Sequence, residues 1–338
     1  QKGISTVTTP IFTRIMNTTE YGQYNVFNSW LSIASIFVSL SLTGGVYAQG
    51  LVKFEKDRNV FTSSLQGLTL LLVAVWMVIY FIFHDFWNQL FTLSSVQMIA
   101  MLVIIWTTAV FSFWSTEQRV NYKYKALVAI TLVVSLAKPI VGIFCVSVTN
   151  DKVSARILGI ALAELFGYAW LFFIQVKRGE VLFSKKYWVY ALSFNLPLVP
   201  HYLSQTVLNS ADRIMIRDLV GPSDAGIYSL AYSISLLMLL FNTALMQTIN
   251  PWIYRKIKDK SIKDISSVAY STLMALACLN LLLIVLAPEV VAIFAPPTYY
   301  DAIYVIPPVA MSGYFMYMYD LFAKFAFYYE KTKFVMIA

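Results

Sequence analysis

Apolar runs of membrane-spanning length recur at 24–48, 63–83, 93–115, 126–148, 155–176, 187–216, 225–252, 265–287 and 303–329, after a partial run at 1–13. A helix needs about 20 apolar residues to cross a bilayer core, so the pattern predicts nine full crossings and one partial one. The polar connections are short, apart from 288–302, which is rich in Pro, Tyr and Ala. They also alternate in charge. One set carries seventeen lysines and arginines, among them Lys53, Lys56, Arg58, Arg119, Lys177, Lys185, Lys186 and Arg255, whereas the other carries only Lys152, Arg156 and Arg217. By the positive-inside rule the first set faces the cytoplasm.

A short pattern occurs twice at the heads of these runs, as Glu20-Tyr-Gly22-Gln-Tyr24 and Asp224-Ala-Gly226-Ile-Tyr228, an offset of 204 residues. Composition alone predicts about 0.04 occurrences of acidic-x-Gly-x-Tyr, so two indicate an internal duplication. Arg14-Ile-Met16 and Arg213-Ile-Met215 precede the two copies, with a spacing five residues longer in the second. Six crossings separate the copies, so both lie on the outer side and the halves share one orientation, as in transporters built from parallel repeats. The expected fold is an all-α, polytopic membrane bundle of two pseudo-symmetric lobes, 1–183 and 184–338. Gly22 and Gly226 are expected to make the sharp turns into the following helices, with the acidic residue near each positive helix N-terminus.

Polar residues inside the spans narrow the candidate chemistry. In 187–216, Pro197 and Pro200 kink the helix and free backbone carbonyls, while His201, Gln205, Asn209 and Asp212 follow at steps of four, four and three on one face. That stripe suits cavity lining and helix packing equally. A milder stripe, Asn28, Ser32, Ser35, Ser39 and Thr43, reads as helix–helix hydrogen bonding. Lys138 and Glu164 each fall about ten residues from the outer ends of adjacent spans, so both sit roughly 15 Å deep and can pair. A charge at that depth costs about 2.5–3.5 kcal/mol and marks either a pathway or a static pair. With Arg14, Arg213 and Lys324 near span ends, deep cations match or outnumber Glu164, Asp212 and Asp320. Such an interior tolerates an anionic substrate better than a cationic one.

Composition agrees with the spans: 59% of residues are hydrophobic, 12% are charged and the mean hydropathy is +0.68, which excludes an ordinary soluble domain. The net charge of +8 belongs to the short loops and does not call for nucleic acid. Cys145 and Cys278 both lie inside apolar runs, so neither a disulfide framework nor a metal site is expected, and no cofactor is implied. Both ends read as cut, because 1–13 is too short to span and Phe334-Val-Met-Ile-Ala338 looks like the start of another crossing.

The stretch Asn195-Leu-Pro-Leu-Val-Pro-His-Tyr, Asn209-Ser-Ala-Asp-Arg213-Ile-Met-Ile, Ala225-Gly-Ile-Tyr228-Ser-Leu-Ala and Asn250-Pro-Trp-Ile-Tyr254 resembles the O-antigen and capsule type polysaccharide flippases of the multidrug/oligosaccharidyl-lipid/polysaccharide exporter superfamily. Thr8-Thr-Pro10-Ile-Phe-Thr-Arg14 and Glu20-Tyr-Gly22-Gln-Tyr24 are similar to that family's first helix and outer turn. The resemblance implies a non-enzymatic transporter in the bacterial cytoplasmic membrane, moving an undecaprenyl-diphosphate-linked oligosaccharide outward by alternating access. It implies a cationic central cavity, a proton or sodium gradient as the drive, and a polysaccharide polymerase and other assembly proteins as candidate partners. On this reading Arg14, Lys138 and Arg213 contact the anion, His201, Gln205 and Asn209 complete the substrate site, and Glu164 or Asp212 couples the ion. Alternatives are a peptidoglycan-precursor flippase or drug exporter of the same superfamily. More distant is a membrane-embedded polymerase or acyltransferase, for which His84, His201 and the scattered carboxylates offer no catalytic pair.

Overall fold

The computed structural model describes residues 2–328, and among them fourteen α-helices form and no strand. In order they are α1 Lys2–Ile15, α2 Thr18–Ser39, α3 Gly45–Lys53, α4 Arg58–Ile82, α5 His84–Phe91, α6 Ser95–Val120, α7 Tyr124–Val148, α8 Lys152–Gly179, α9 Lys185–Asn195, α10 Val199–Leu219, α11 Pro222–Lys258, α12 Ile262–Val285, α13 Ala287–Phe294 and α14 Ala302–Tyr328. Six of them, α4, α6, α7, α8, α11 and α12, are long and apolar enough to cross a membrane. Their outer sides are built for lipid: Ile140 and Phe144 on α7 and Phe166 on α8 are 64%, 67% and 79% exposed.

Two of the expected single spans are broken. The run 24–48 is divided between α2 and α3, because Leu40 and Ser41 take φ of 48° and 51°. Two successive non-glycine residues in the left-handed region cost about 1–2 kcal/mol each. The run 187–216 is divided between α9 and α10, with Leu196–Leu198 forming a 3-10 turn around Pro197. Pro200 then sits in the first turn of α10, where its missing N–H has no helical partner to lose. The expected kink is therefore a break. Asn195, fully buried at the end of α9, donates from Nδ2 to Leu40 O at 2.6 Å and so ties one break to the other, offsetting part of the backbone strain.

By contrast α7 and α8 run unbroken against each other. A Cβ on Gly159 of α8 would fall 2.8 Å from the Gly142 Cα of α7, so the crossing depends on glycine meeting glycine. At the basic end, α3 and α9 meet over a core of Leu42, Tyr47, Leu51, Phe61, Phe113 and Tyr187. Trp188 Nε1 donates to Ser64 O at 2.8 Å and holds α9 onto α4.

The chain groups into two compact units, Gln1–Ala225 and Gly226–Ala338. This division falls about forty residues after the lobe boundary read from the repeat at 183/184, because α10 lies along α2 and α9 rests on α3 and α4. Within the second unit, α12 packs on α14 around Met246, Ile253, Leu276 and Tyr317. Asn242 Nδ2 there donates to Gly313 O at 2.5 Å.

Candidate functional site

Both copies of acidic-x-Gly-x-Tyr start a helix in the same way. Glu20 is the third residue of α2 and completes a capping box: Oε2 accepts from the Asn17 N–H, and Asn17 Oδ1 accepts from the Glu20 N–H, each at 2.8 Å. Lys152 Nζ stands 3.7 Å from the same carboxylate and donates to Ile15 O at 2.8 Å. Asp224 is likewise the third residue of α11, after Gly221, whose φ of 152° makes the turn. Ser223 Oγ donates to Thr18 Oγ1 at 2.8 Å, so the two helix starts touch at one end of the bundle. Gly22 and Gly226, expected in the turns, are instead each the fifth residue of a helix. The non-helical backbone is supplied ahead of them, by Asn17 in one copy and Gly221 in the other.

The longer spacing in the second copy is helix. α1 ends one residue after Arg14, whereas α10 continues six residues past Arg213. The added turn carries Arg217, which donates to Phe91 O at 3.1 Å and to Thr92 Oγ1, and pairs with Asp218 at 2.7 Å. Arg14 is exposed and donates to Pro10 O of its own helix at 2.8 Å. Asp212 Oδ1 accepts from the Arg213 N–H at 2.8 Å.

The broken spans border an open cavity of about 450 Å³ between α2, α6 and α10, with Leu31, Ile36, Ile104 and Ile105 forming apolar parts of its wall. Ser32, Ser35, Ser39, Ser41 and Thr43 line one side, Thr108 and Ser112 a second, and Tyr202, Gln205 and Thr206 the third. The serine stripe, expected to bond between helices, donates instead to its own backbone: Ser32 to Asn28 O, Ser35 to Ser32 O and Ser39 to Ser35 O, at 2.7–2.9 Å. With their protons committed there, the oxygens keep lone pairs for a guest. Of the α10 stripe only Gln205 lines the cavity. His201 is exposed, and Asn209 donates to Gln205 O at 2.7 Å. Tyr202 and Thr206 went unremarked in the sequence because the polar stripe was counted from His201 in helical steps that pass between them.

No charged side chain is among the residues that line this cavity. Lys138 Nζ lies 2.5 Å from Glu164 Oε1, and Glu164 Oε2 accepts from Thr107 Oγ1 at 2.8 Å and Thr108 Oγ1 at 3.0 Å. The Glu164 side chain is 4% exposed and that of Lys138 26%. Thr108 belongs to both settings, since it lines the cavity and donates to the buried carboxylate. One hydroxyl therefore separates the cavity from the ion pair.

Two further charged groups were not singled out in the sequence. Glu117, nearly buried, pairs with Arg178 at 3.0 Å and accepts from Gln175, which in turn bonds Gln66 of α4. Gln66 and Gln175, both inside apolar runs, were the available signal. Arg156, read as a loop cation, is 8% exposed between the rings of Phe12 and Tyr24 at 3.6 and 3.5 Å, where it fastens α1 and α2 to α8.

The helices long and apolar enough to cross a membrane mark a multi-pass membrane protein, and its fold is shared with solved transporters. It resembles an inward-facing multidrug-resistance MATE-family transporter of the MOP superfamily at a TM-score of 0.70 and 12% identity, over 96% of this chain and 81% of that one. It also resembles a mutant of the Vibrio cholerae MATE transporter VcmN, at 0.54 and 15% identity, over 97% and 81%. The chain belongs to the polysaccharide biosynthesis protein family, whose model matches residues 1–256. Among relatives in Haemophilus influenzae, Lsg locus putative protein 1 is 25% identical over 75% of this chain. A protein described as an uncharacterized membrane protein is 20% identical over 96% of this chain and 80% of its own length. The match spans 62% of the length of the first of these relatives.

Proposed function

We propose that this protein moves a lipid-linked oligosaccharide from the cytoplasmic to the outer leaflet of a bacterial plasma membrane by alternating access. The observation that carries the reading is the neutral, hydroxyl-lined cavity, because a glycan is a dense array of hydroxyls that both donate and accept. Membership of a polysaccharide biosynthesis family supports the same substrate class. A cavity lining without carboxylates weighs against a cationic drug. Glu164 is the coupling acid on this reading: it reaches the cavity through Thr108, and protonation there would release Lys138. Arg14 and Arg213, at matched places near the ends of α1 and α10, receive the anionic group on the outer side, and the basic loops face the cytoplasm.

Surface polysaccharide in a deletion strain complemented with variants tests the reading. Ser35→Leu fills the cavity, and Glu164→Gln keeps the shape while removing the charge. Each is expected to lower surface polysaccharide at least tenfold at an unchanged membrane level of the protein. Normal export by Ser35→Leu would overturn the cavity assignment, and normal export by Glu164→Gln would overturn the coupling role.

A further inference from the structure

A neutral cavity leaves the anionic part of a lipid-linked glycan to be held somewhere else. The same two broken spans carry a concentration of positive charge at their basic end. Lys53 is the last residue of α3 and Lys186 the second of α9. Lys53 Nζ stands 4.6 Å from the ring centre of Tyr190 and 5.7 Å from that of Phe54. Lys186 Nζ stands 5.2 Å from the same Phe54 ring and 5.1 Å from that of Tyr187. Sharing one ring keeps the two ammonium groups within about 11 Å of each other. The rings beneath them are fixed, since Phe54 meets Phe61, Tyr187 and Tyr190 at 5.0–5.2 Å.

Neither lysine makes an ion pair among the described residues. Of the acids nearby in sequence, Glu55 pairs with Arg58 at 3.3 Å, and Asp57 keeps its charge while its Oδ2 accepts from the Tyr187 hydroxyl at 3.2 Å. Two exposed like charges from distant parts of the chain thus stand around one aromatic cluster with no ion pair of their own among the described residues, an arrangement that a doubly charged anion completes. Position agrees with charge. Ser41, Thr43 and Gly44 border the cavity at the α2–α3 break, and α3 carries Lys53 about 12 Å beyond it. On the other span Lys186 lies about 13 Å from Asn195, the residue tied to that break.

We propose that Lys53 and Lys186, with Phe54, Tyr187 and Tyr190, form a loading site for the diphosphate headgroup of a membrane lipid in the cytoplasmic leaflet. The inference rests on the proposed transport function and adds where the anion docks: the diphosphate lies at the basic end while the attached sugars reach into the cavity. Lys56 and Lys185 supply an internal control, because they bear the same charge at the same end yet touch no ring among the described residues.

The test is equilibrium binding of radiolabelled farnesyl diphosphate to the full chain in phosphatidylcholine nanodiscs, with empty nanodiscs subtracted. Lys53→Gln and Lys186→Gln are each expected to weaken binding about tenfold, while the Lys53→Arg/Lys186→Arg double variant retains it. Lys56→Gln/Lys185→Gln should stay within about twofold of the parent. Unlabelled farnesol is expected not to compete, and inorganic pyrophosphate to compete at least tenfold more weakly than unlabelled farnesyl diphosphate. Unchanged binding in Lys53→Gln/Lys186→Gln, or an equal loss in Lys56→Gln/Lys185→Gln, would overturn the site. Equal competition by pyrophosphate would overturn its assignment to a lipid. Binding is read without transport, so failure here leaves the cavity reading to stand or fall on surface polysaccharide.

Discussion

The α7–α8 pair and the two broken spans, α2–α3 and α9–α10, place polar groups inside the same bundle by opposite means. α7 and α8 stay continuous, approach until Gly159 meets Gly142, and neutralise Lys138 and Glu164 against each other. The broken spans use no charge in their cavity. They interrupt the backbone, satisfy one exposed carbonyl with Asn195, and line the opening with hydroxyls that bond back to their own helices. A buried charge needs its partner close at hand, whereas a surface for a guest keeps its acceptors unspent. One pair of helices therefore holds its polar groups against each other, and the other leaves them facing an opening.

Breaking the ion pair should have the largest effect on stability. Glu164→Leu leaves Lys138 without its counter-charge, and a loss of about 3 kcal/mol is expected, read as a lower unfolding temperature in detergent. Lys138→Met/Glu164→Leu should recover most of that loss. If the double variant were as unstable as Glu164→Leu, the cost would lie in packing and the comparison would fail. Asn195→Ala comes next, at about 1–2 kcal/mol, because it strands a carbonyl at a strained break. A change below a few tenths of a kcal/mol would show that the two breaks hold themselves. Ser35→Ala should be the mildest, within about 0.5 kcal/mol, since the Ser35 hydroxyl bonds to its own helix. A clear destabilisation there would return the serine stripe to a structural role.

Six of the nine expected spans and the pairing of Lys138 with Glu164 were legible in the sequence because both follow from counting: apolar length for the spans, depth from a span end for the charges. The starts of the two helices that carry the repeated pattern touch through Ser223 and Thr18. The breaks were harder to see. Pro197 and Pro200 announced one of them, but Leu40 and Ser41 are residues whose left-handed backbone no local preference favours, and only the distant Asn195 accounts for it. The cavity was hidden for a related reason. Its walls come from three helices remote in sequence, and a stripe on one helix does not say what stands across from it.

The extra turn at the end of α10 has a consequence for the kinship of the two halves. Arg217 stands in those added residues and supplies hydrogen bonds to Phe91 and Thr92 at the corner between α5 and α6, where Thr92 itself takes a φ of 52°. The shorter junction between α1 and α2 offers no such reach. A chimera that grafted the first junction into the second place would keep every residue of the repeated pattern and still leave that corner without its cleat. The two segments that share the pattern are not interchangeable parts.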